Sequence, residues 1–197
     1  MYNILRKLYS QYLKFKFRKL GVFDNSVDFS KHTSLKLIDG SRKDDIVIGS
    51  KCRIYCSLIT QSGGKIFIED NVKIGHHSII GSVKNILIKK GTAIADGVKI
   101  FDNNNHPIHP EDRLKMYNSP WDSPYRKWKF SVSKPIIIGE NVWIGQGVRI
   151  NKGVTIGDNS IIASGAIVTK DVPANAIAAG NPAKIVKTDI QNEPRTL

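Results

Sequence analysis

The chain has 197 residues, with 30 Lys and Arg against 17 Asp and Glu, for a formal net charge of +13. That length fits one domain with a substantial core. No stretch approaches the roughly 18 apolar residues of a membrane span. Lys and Arg break up the N-terminal apolar residues too often for a secretory signal. Only Cys52 and Cys56 are present, four apart, so a cytoplasmic protein with free thiols is expected rather than a disulfide framework. An excess of positive charge concentrates anionic partners. No nucleic-acid-binding module is recognisable, which leaves a phosphorylated cofactor, an acidic polysaccharide or an anionic membrane surface.

In chain order, residues 1–20 predict an amphipathic helix, with Ile4, Leu5, Leu8, Tyr12, Phe15 and Leu20 mostly on one broad stripe. Arg6, Lys7, Lys14, Lys16, Arg18 and Lys19 meet no acid there. Such a helix can cover the open end of a repeat array or pack on a neighbouring subunit, because an uncapped end exposes core and unpaired strand edge. It can also attach peripherally to a membrane surface. Residues 21–47 read as an irregular lead-in with some strand character.

From Ile48 the chain changes character. Ile138, Ile144, Ile150, Ile156, Ile162 and Val168 recur at every sixth position, and four residues after each comes Val142, Val148, Val154, Ser160, Ala166 or Val172. Neither a helix nor a lone strand sustains a strict six. A parallel β-helix does, with three short faces completing a coil. The register runs upstream through Ile100, Ile94 and Ile88, then Ile80, Ile74 and Ile68, then Ile54 and Ile48, with two extra residues entering at each break. Gly and Asn cluster at the corners, where positive φ is needed. The expected organisation is a lead-in over 1–47, a β-helix over 48–187 and a polar tail over 188–197.

Between Phe101 and Pro135 the register vanishes, over a gap too long for an ordinary connection. Tyr117, Trp121, Tyr125 and Trp128 argue against disorder there, and Arg113, Lys115, Arg126, Lys127, Lys129 and Lys134 make the segment basic. His106 falls where the next inward aliphatic is due, within Asp102-Asn103-Asn104-Asn105-His106-Pro107. A near-neutral histidine can take a proton from a hydroxyl if its second nitrogen is held by an acceptor, such as Asp102 or a backbone carbonyl. A histidine that merely caps a loop is the plain alternative.

The run Asn105-His106-Pro107-Ile108-His109-Pro110, the later Asn141-Val142-Trp143-Ile144-Gly145 and the ending Gly180-Asn181-Pro182-Ala183-Lys184 resemble the hexapeptide-repeat acyltransferases. The branch most similar is that of the maltose, galactoside and capsule or O-antigen sugar O-acetyltransferases. The resemblance implies an all-β, left-handed parallel β-helix, an exception to the right-handed crossover rule. It also implies a homotrimer with acetyl-coenzyme A between subunits, and His106 as catalytic base. By the same resemblance Trp143 lies near the reactive end of the cleft, Ser164 and Thr169 contact the pantetheine arm, and Lys170, Lys184 and Lys187 lie near the nucleotide phosphates. Gln146 stands where the small-sugar enzymes have serine. Their upstream Asn and Asp do not carry over onto Gly75-His76-His77-Ser78 or Val83-Lys84-Asn85.

A changed acceptor pocket, with Asp102, Asn105, His109, Tyr117, Trp121 and Trp128 as candidate acceptor contacts, suggests an acidic glycan such as sialic acid in a capsule or O-antigen. No metal is expected. Two other readings stand beside this one. A zinc hydratase resembling the γ-class carbonic anhydrases would draw on His76, His77, His106 and His109. A non-catalytic solenoid would serve as a scaffold.

Overall fold

The computed structural model describes residues 2–196; the side chains of residues 2–7, Ile4 and Leu5 among them, lie outside that description. Helix α1 (Tyr2–Phe17) is followed by six coils of three strands each. The first coil is β1 (Val22–Phe23), β2 (Asp28–Phe29) and β3 (Ser34–Ile38), and the second β4 (Ile46–Ile48), β5 (Arg53–Ile54) and β6 (Ser57–Gln61). The third is β7 (Lys65–Ile68), β8 (Lys73–Ile74) and β9 (Ile79–Ser82), and the fourth β10 (Asn85–Ile88), β11 (Ala93–Ile94) and β12 (Lys99–Phe101). A long loop carrying α2 (Pro110–Asn118) intervenes. Then come β13 (Ile136–Ile138), β14 (Trp143–Ile144) and β15 (Arg149–Ile150), and β16 (Thr155–Ile156), β17 (Ile161–Ile162) and β18 (Ile167–Val168). A hairpin of β19 (Ile177–Gly180) and β20 (Ala183–Lys187) closes the stack.

Equivalent strands of successive coils pair in parallel and in register, giving three faces: A (β1-β4-β7-β10-β13-β16), B (β2-β5-β8-β11-β14-β17-β19) and C (β3-β6-β9-β12-β15-β18). The six-residue aliphatics point inward: Ile54, Ile74, Ile94, Ile144 and Ile162 stack along face B, and Leu58, Ile80, Ile100, Ile150 and Val168 along face C, all buried. The small or β-branched partners line the corners. Where these are polar, their hydroxyls satisfy backbone groups inside the turn: Thr92 Oγ1 donates to the Gly139 carbonyl at 2.8 Å and accepts from the Val142 N–H at 3.1 Å. Cys52 and Cys56 fill two such slots as buried free thiols, and burial pushes both up from the ordinary thiol range.

The corners between faces A and B and between B and C share one device. The Asp70 carboxylate accepts from the Ser50 N–H at 2.6 Å, Asp96 from His76 N–H at 2.7 Å and Asp158 from Glu140 N–H at 2.8 Å. In each case the preceding residue is glycine (Gly49, Gly75, Gly139), and a Cβ there would collide with the aspartate of the next coil. These bonds to Ser50, its backbone first, hold the Asp70 carboxyl below the usual carboxylate range.

The coils begin one turn earlier than the period suggests, at Val22 rather than Ile48. Phe23, Phe29 and Leu35 keep the six-residue spacing, with Val27 and Thr33 buried in the small slots. Aromatic rings replace the aliphatics there. The corner that follows, residues 39–45, is lengthened by a one-turn helix at Lys43–Asp45, which masks the count.

Helix α1 covers the first coil, but of the expected stripe only Leu20 takes part among the described side chains. Leu13 and Phe17 are buried and Leu20 packs at the core edge, with Phe17 meeting Phe29 edge-on at 5.1 Å between centroids. Leu8, Tyr12 and Phe15 remain exposed. Phe17→Ala should therefore open the end of the stack and cost about 3 kcal/mol or more, read as a shift in the denaturation midpoint.

Candidate functional site

The loop leaves the fourth coil through a built neck. Phe101 pairs with Gly81, and its ring lies where a Gly81 side chain would be, edge-on to Trp128 at 5.8 Å. Strand alternation then turns Asp102 inward, where it is fully buried. Its carboxylate accepts from Ser82 Oγ at 2.7 Å, from the Val83 N–H at 2.9 Å and the Lys84 N–H at 2.8 Å, and from Asn103 Nδ2 at 3.2 Å. The returning strand closes on the same place. Asn103 bridges Ser133, the Asn104 N–H donates to the Val132 carbonyl, and the Lys134 N–H donates to the Asp102 carbonyl at 2.8 Å. Asp102 is thus the clasp of the loop. It neither faces an acceptor nor orients His106, as its nearness in sequence had suggested.

Beyond the neck, Asn105 takes a positive φ of 64° and donates its N–H to Asn103 Oδ1. Its own Oδ1 is buried with no partner. His106 follows on the outside of the molecule, exposed rather than in the inward slot, since the chain has already left the coil. His106 Nδ1 lies 3.4 Å from the Met116 sulfur on α2. A thioether only accepts, and weakly, so this contact suits the tautomer with the proton on Nδ1 and the lone pair on Nε2. His109 is exposed at the start of α2, where its carbonyl accepts from the Arg113 N–H.

Most of the loop's cations hold the loop together. The Arg126 guanidinium donates to the carbonyls of Tyr117, Ser119 and Pro120 at 2.8–3.0 Å and lies 4.5 Å from the Trp121 centroid. Arg113 donates to the Ile108 carbonyl. Lys129 and Lys127 pair with Asp39 in the first coil at 3.4 and 4.0 Å, fastening the loop down the corner between faces C and A. The Ser62 hydroxyl, then these lysines, hold the Asp39 carboxyl below its ordinary range.

Of the expected aromatic contacts, Trp128 is built into the neck, its backbone N–H donating to Gln61 Oε1, while Tyr117 and Trp121 stand 76% and 90% exposed. A pocket of about 230 Å³ instead forms from Pro107, Asp112, Lys115, Tyr125 and Phe130, with the Lys115 ammonium 4.2 Å from the Tyr125 ring. Lys115, next in sequence to the Met116 that touches His106, is the cation left facing an acceptor-sized space.

The expected cofactor residues fall into two groups. Thr169, Lys170 and Lys184 share a cleft of about 310 Å³ with Asp171, Val172, Ala178, Pro182 and Ile185, between the last C–A corner and the terminal hairpin, the Asp171 carboxylate accepting from the Thr155 N–H at 2.7 Å. Its two lysines and apolar wall suit a phosphate-bearing chain. Lys187 is paired with Glu193 at 2.7 Å. Trp143 instead stands outward on face B, 58% exposed, and Gln146 and Ser164 are exposed on the B–C corner.

Lower on that corner lies a group that the sequence left without a role. His32, Tyr55, His76 and His77 form a chain of rings with centroids 4.9–6.3 Å apart. His32 and His77 line a space of about 300 Å³ with Cys56, Ser57, Ser78 and Ile79, and His76 Nδ1 is buried without a partner. His32 was missed because its coil was. The four histidines of the zinc reading are divided between this corner and the loop, and among the described residues no group of three or more His, Cys, Asp or Glu is placed to hold a metal ion.

Residues 135–170 match the family described as bacterial transferase hexapeptide, six repeats. Over 93% of this chain and 83% of the relative, the sequence is 32% identical to a Saccharomyces cerevisiae protein named as a proposed acetyltransferase. The chain belongs to the hexapeptide-repeat acetyltransferases. A galactoside O-acetyltransferase of Escherichia coli K12 is 39% identical over 64% of this chain and 62% of its own length. A polysialic acid O-acetyltransferase of Escherichia coli O1:K1 is 37% identical over 73% of this chain and 43% of its own. This acetyltransferase therefore spans less than two thirds of either Escherichia coli relative. An N-acyltransferase from Bacillus cereus, crystallised with dTDP and coenzyme A, superposes with a TM-score of 0.67 at 22% identity, covering 91% of this chain and 90% of that one. The fold is the left-handed parallel β-helix.

The clasp can be tested directly. Asp102→Asn keeps the shape but turns an amide N–H toward the Val83 or Lys84 N–H. It should destabilise the protein by about 2–3 kcal/mol and raise hydrogen exchange selectively across 102–134.

Proposed function

We propose that this acetyltransferase moves an acetyl group from acetyl-coenzyme A to a hydroxyl of an acidic cell-surface glycan, with His106 as general base, at sites shared between the chains of a homotrimer. The observation that carries the reading is His106 itself, displayed on a clasped loop with Nδ1 against a thioether and Nε2 suited to take a proton.

In this mechanism Nε2 removes the acceptor proton as the hydroxyl oxygen attacks the thioester carbonyl, and the imidazolium returns it to the departing thiolate. A fixed donor stabilises the oxyanion between the two steps. No covalent enzyme intermediate is needed, so orientation of two bound substrates supplies much of the rate. The Thr169, Lys170 and Lys184 cleft fits the phosphate end of the donor, where a cation is electrostatically useful.

The division of the site between two edges supports assembly. The His106 loop and the lysine cleft belong to the C–A edge, while Trp143, Gln146, Ser164 and the histidine group belong to face B and the B–C corner. A ring of three closes by setting one chain's C–A edge against the next chain's B–C edge. That arrangement also covers the exposed Trp143, stacked between Ala93 and Ile161.

The acidic acceptor is supported by Lys115 beside the Tyr125 and Phe130 rings, by the imidazoles of the B–C corner and by the relative named for polysialic acid. The charge argument is narrower than composition suggests, because Arg113, Arg126, Lys127 and Lys129 serve the loop.

His106→Ala should lower kcat by about 10²–10⁴ while light scattering still reports three chains; near wild-type turnover would reject His106 as the base. Trimers assembled from His106→Ala and Trp143→Ala chains should regain activity above either variant alone, since some clefts then receive both intact edges. Radiolabelled acetyl transfer across a glycan panel should favour sialylated over neutral acceptors, and Lys115→Ala should raise KM for the former.

A further inference from the structure

Helix α1 carries two apolar faces, and the solenoid uses only one. Leu13 and Phe17 are buried against the first coil, with Leu20 just beyond. Leu8, Tyr12 and Phe15 follow i, i+4, i+7 spacing on a separate stripe, exposed at 63%, 57% and 74%. Tyr9, 45% exposed, lies beside Tyr12 with ring centroids 6.0 Å apart. A helix that only capped the array would turn polar residues to water on that side. Single exposed apolar residues are ordinary, whereas a contiguous stripe marks a contact surface.

The charge around the stripe indicates what it contacts. No Asp or Glu precedes Asp24, while Lys16 and Lys19 lie exposed on the same segment and Arg18 is held by Asn25 Oδ1 and the Phe23 ring. Lys14 is turned away, donating to the Asn25 carbonyl at 2.7 Å. A protein partner binding through Leu, Tyr and Phe would need acids of its own to meet these cations. An anionic bilayer offers both properties at once: an apolar interior for the stripe and negative headgroups for the lysines. Residues with aromatic bodies and polar tips suit that interface.

We infer that α1 docks this protein on anionic lipid through Leu8, Tyr12 and Phe15, while Leu13 and Phe17 keep the solenoid closed. The placement is consistent with use. The helix covers the first coil, and Lys127 and Lys129 fasten the His106 loop to Asp39 in that same coil. Docking therefore sets the loop near the membrane and leaves the lysine cleft at the far end, open to water. A glycan held at the bilayer by a lipid anchor would meet the site from below.

The test is co-sedimentation of the full chain with vesicles of phosphatidylcholine, alone or mixed with phosphatidylglycerol. The wild-type chain should sediment with the mixed vesicles and be released by high salt. The triple variant Leu8→Ser, Tyr12→Ser, Phe15→Ser should bind at least about tenfold more weakly, with its thermal midpoint and transfer to a soluble acceptor unchanged. Lys16→Glu with Lys19→Glu gives a second route, weakening binding without touching any apolar residue. Equal binding to both vesicle types, or to neither, overturns the inference. So does a triple variant whose oligomeric mass falls without lipid, since the stripe would then be a contact between chains. Loss of acetyl transfer has no part in this readout, so the two proposals fail separately.

Discussion

Every other feature of this molecule depends on the inward column of aliphatic side chains that forces successive coils to stack in register. Each coil buries its residues against the coils above and below, and a shift of one position would turn the whole set outward. In-register stacking has a second consequence. Outward residues at equivalent positions also form columns, separated only by the strand spacing of roughly 4.8 Å. The corner glycines and aspartates form two such columns, at the A–B corner (Gly49, Gly139) and the B–C corner (Gly75), in which the missing Cβ admits the carboxylate of the following coil. His32, Tyr55 and His76 are brought together in the same way, although 44 residues separate the first and last. The scaffold is therefore a device for placing distant side chains side by side along an edge.

A strict repeat cannot by itself create a concave site, because each face is short and flat. The single interruption does so. It is stable because the carboxylate of Asp102, at the point of departure, meets four donors, and because Phe101 and Trp128 pack over a glycine that leaves them room. Burying that charge without this full set of partners would be strongly unfavourable. With them it becomes a rigid neck, and the segment beyond can place His106, Lys115 and two aromatic rings outside the prism without unravelling the coils.

The coils from Ile48 onward were legible because their inward positions are aliphatic and their corners are marked by Gly and Asn. The first coil was not, since Phe23 and Phe29 take aliphatic places and an extended corner hides the return to phase. The loop's existence and its histidine were visible as a failure of period, but its internal partners were not. Gln61 lies 67 residues from Trp128, and Asp39 pairs with Lys129, both contacts created by the stack. One signal was available and unused. Ile100 faces inward, so strand alternation alone places Asp102 inward too, which counts against a role beside His106. The six-residue count placed His106 inward, and that failed because a period predicts nothing once the backbone has left the coil.

The same distinction between a pattern and its use applies to charge. A net +13 invites a search for one anionic partner, yet the cations divide by task once their contacts are known. Arg126 caps α2, Arg113 serves its first turn, Lys127 and Lys129 fasten the loop, Lys90 pairs with Glu140 and Lys187 with Glu193. Others stand at the three places that bear on function, Lys115 at the aromatic pocket, Lys170 and Lys184 in the terminal cleft, and Lys16 and Lys19 on the N-terminal segment, while further ones such as Arg53, Lys73 and Lys99 lie exposed on the faces of the coils. On the reading proposed above, the groups at the loop, the last coil and the N-terminal segment would each serve a different anion, an acceptor carboxylate, a donor phosphate and a lipid headgroup, because each stands beside a different apolar neighbour.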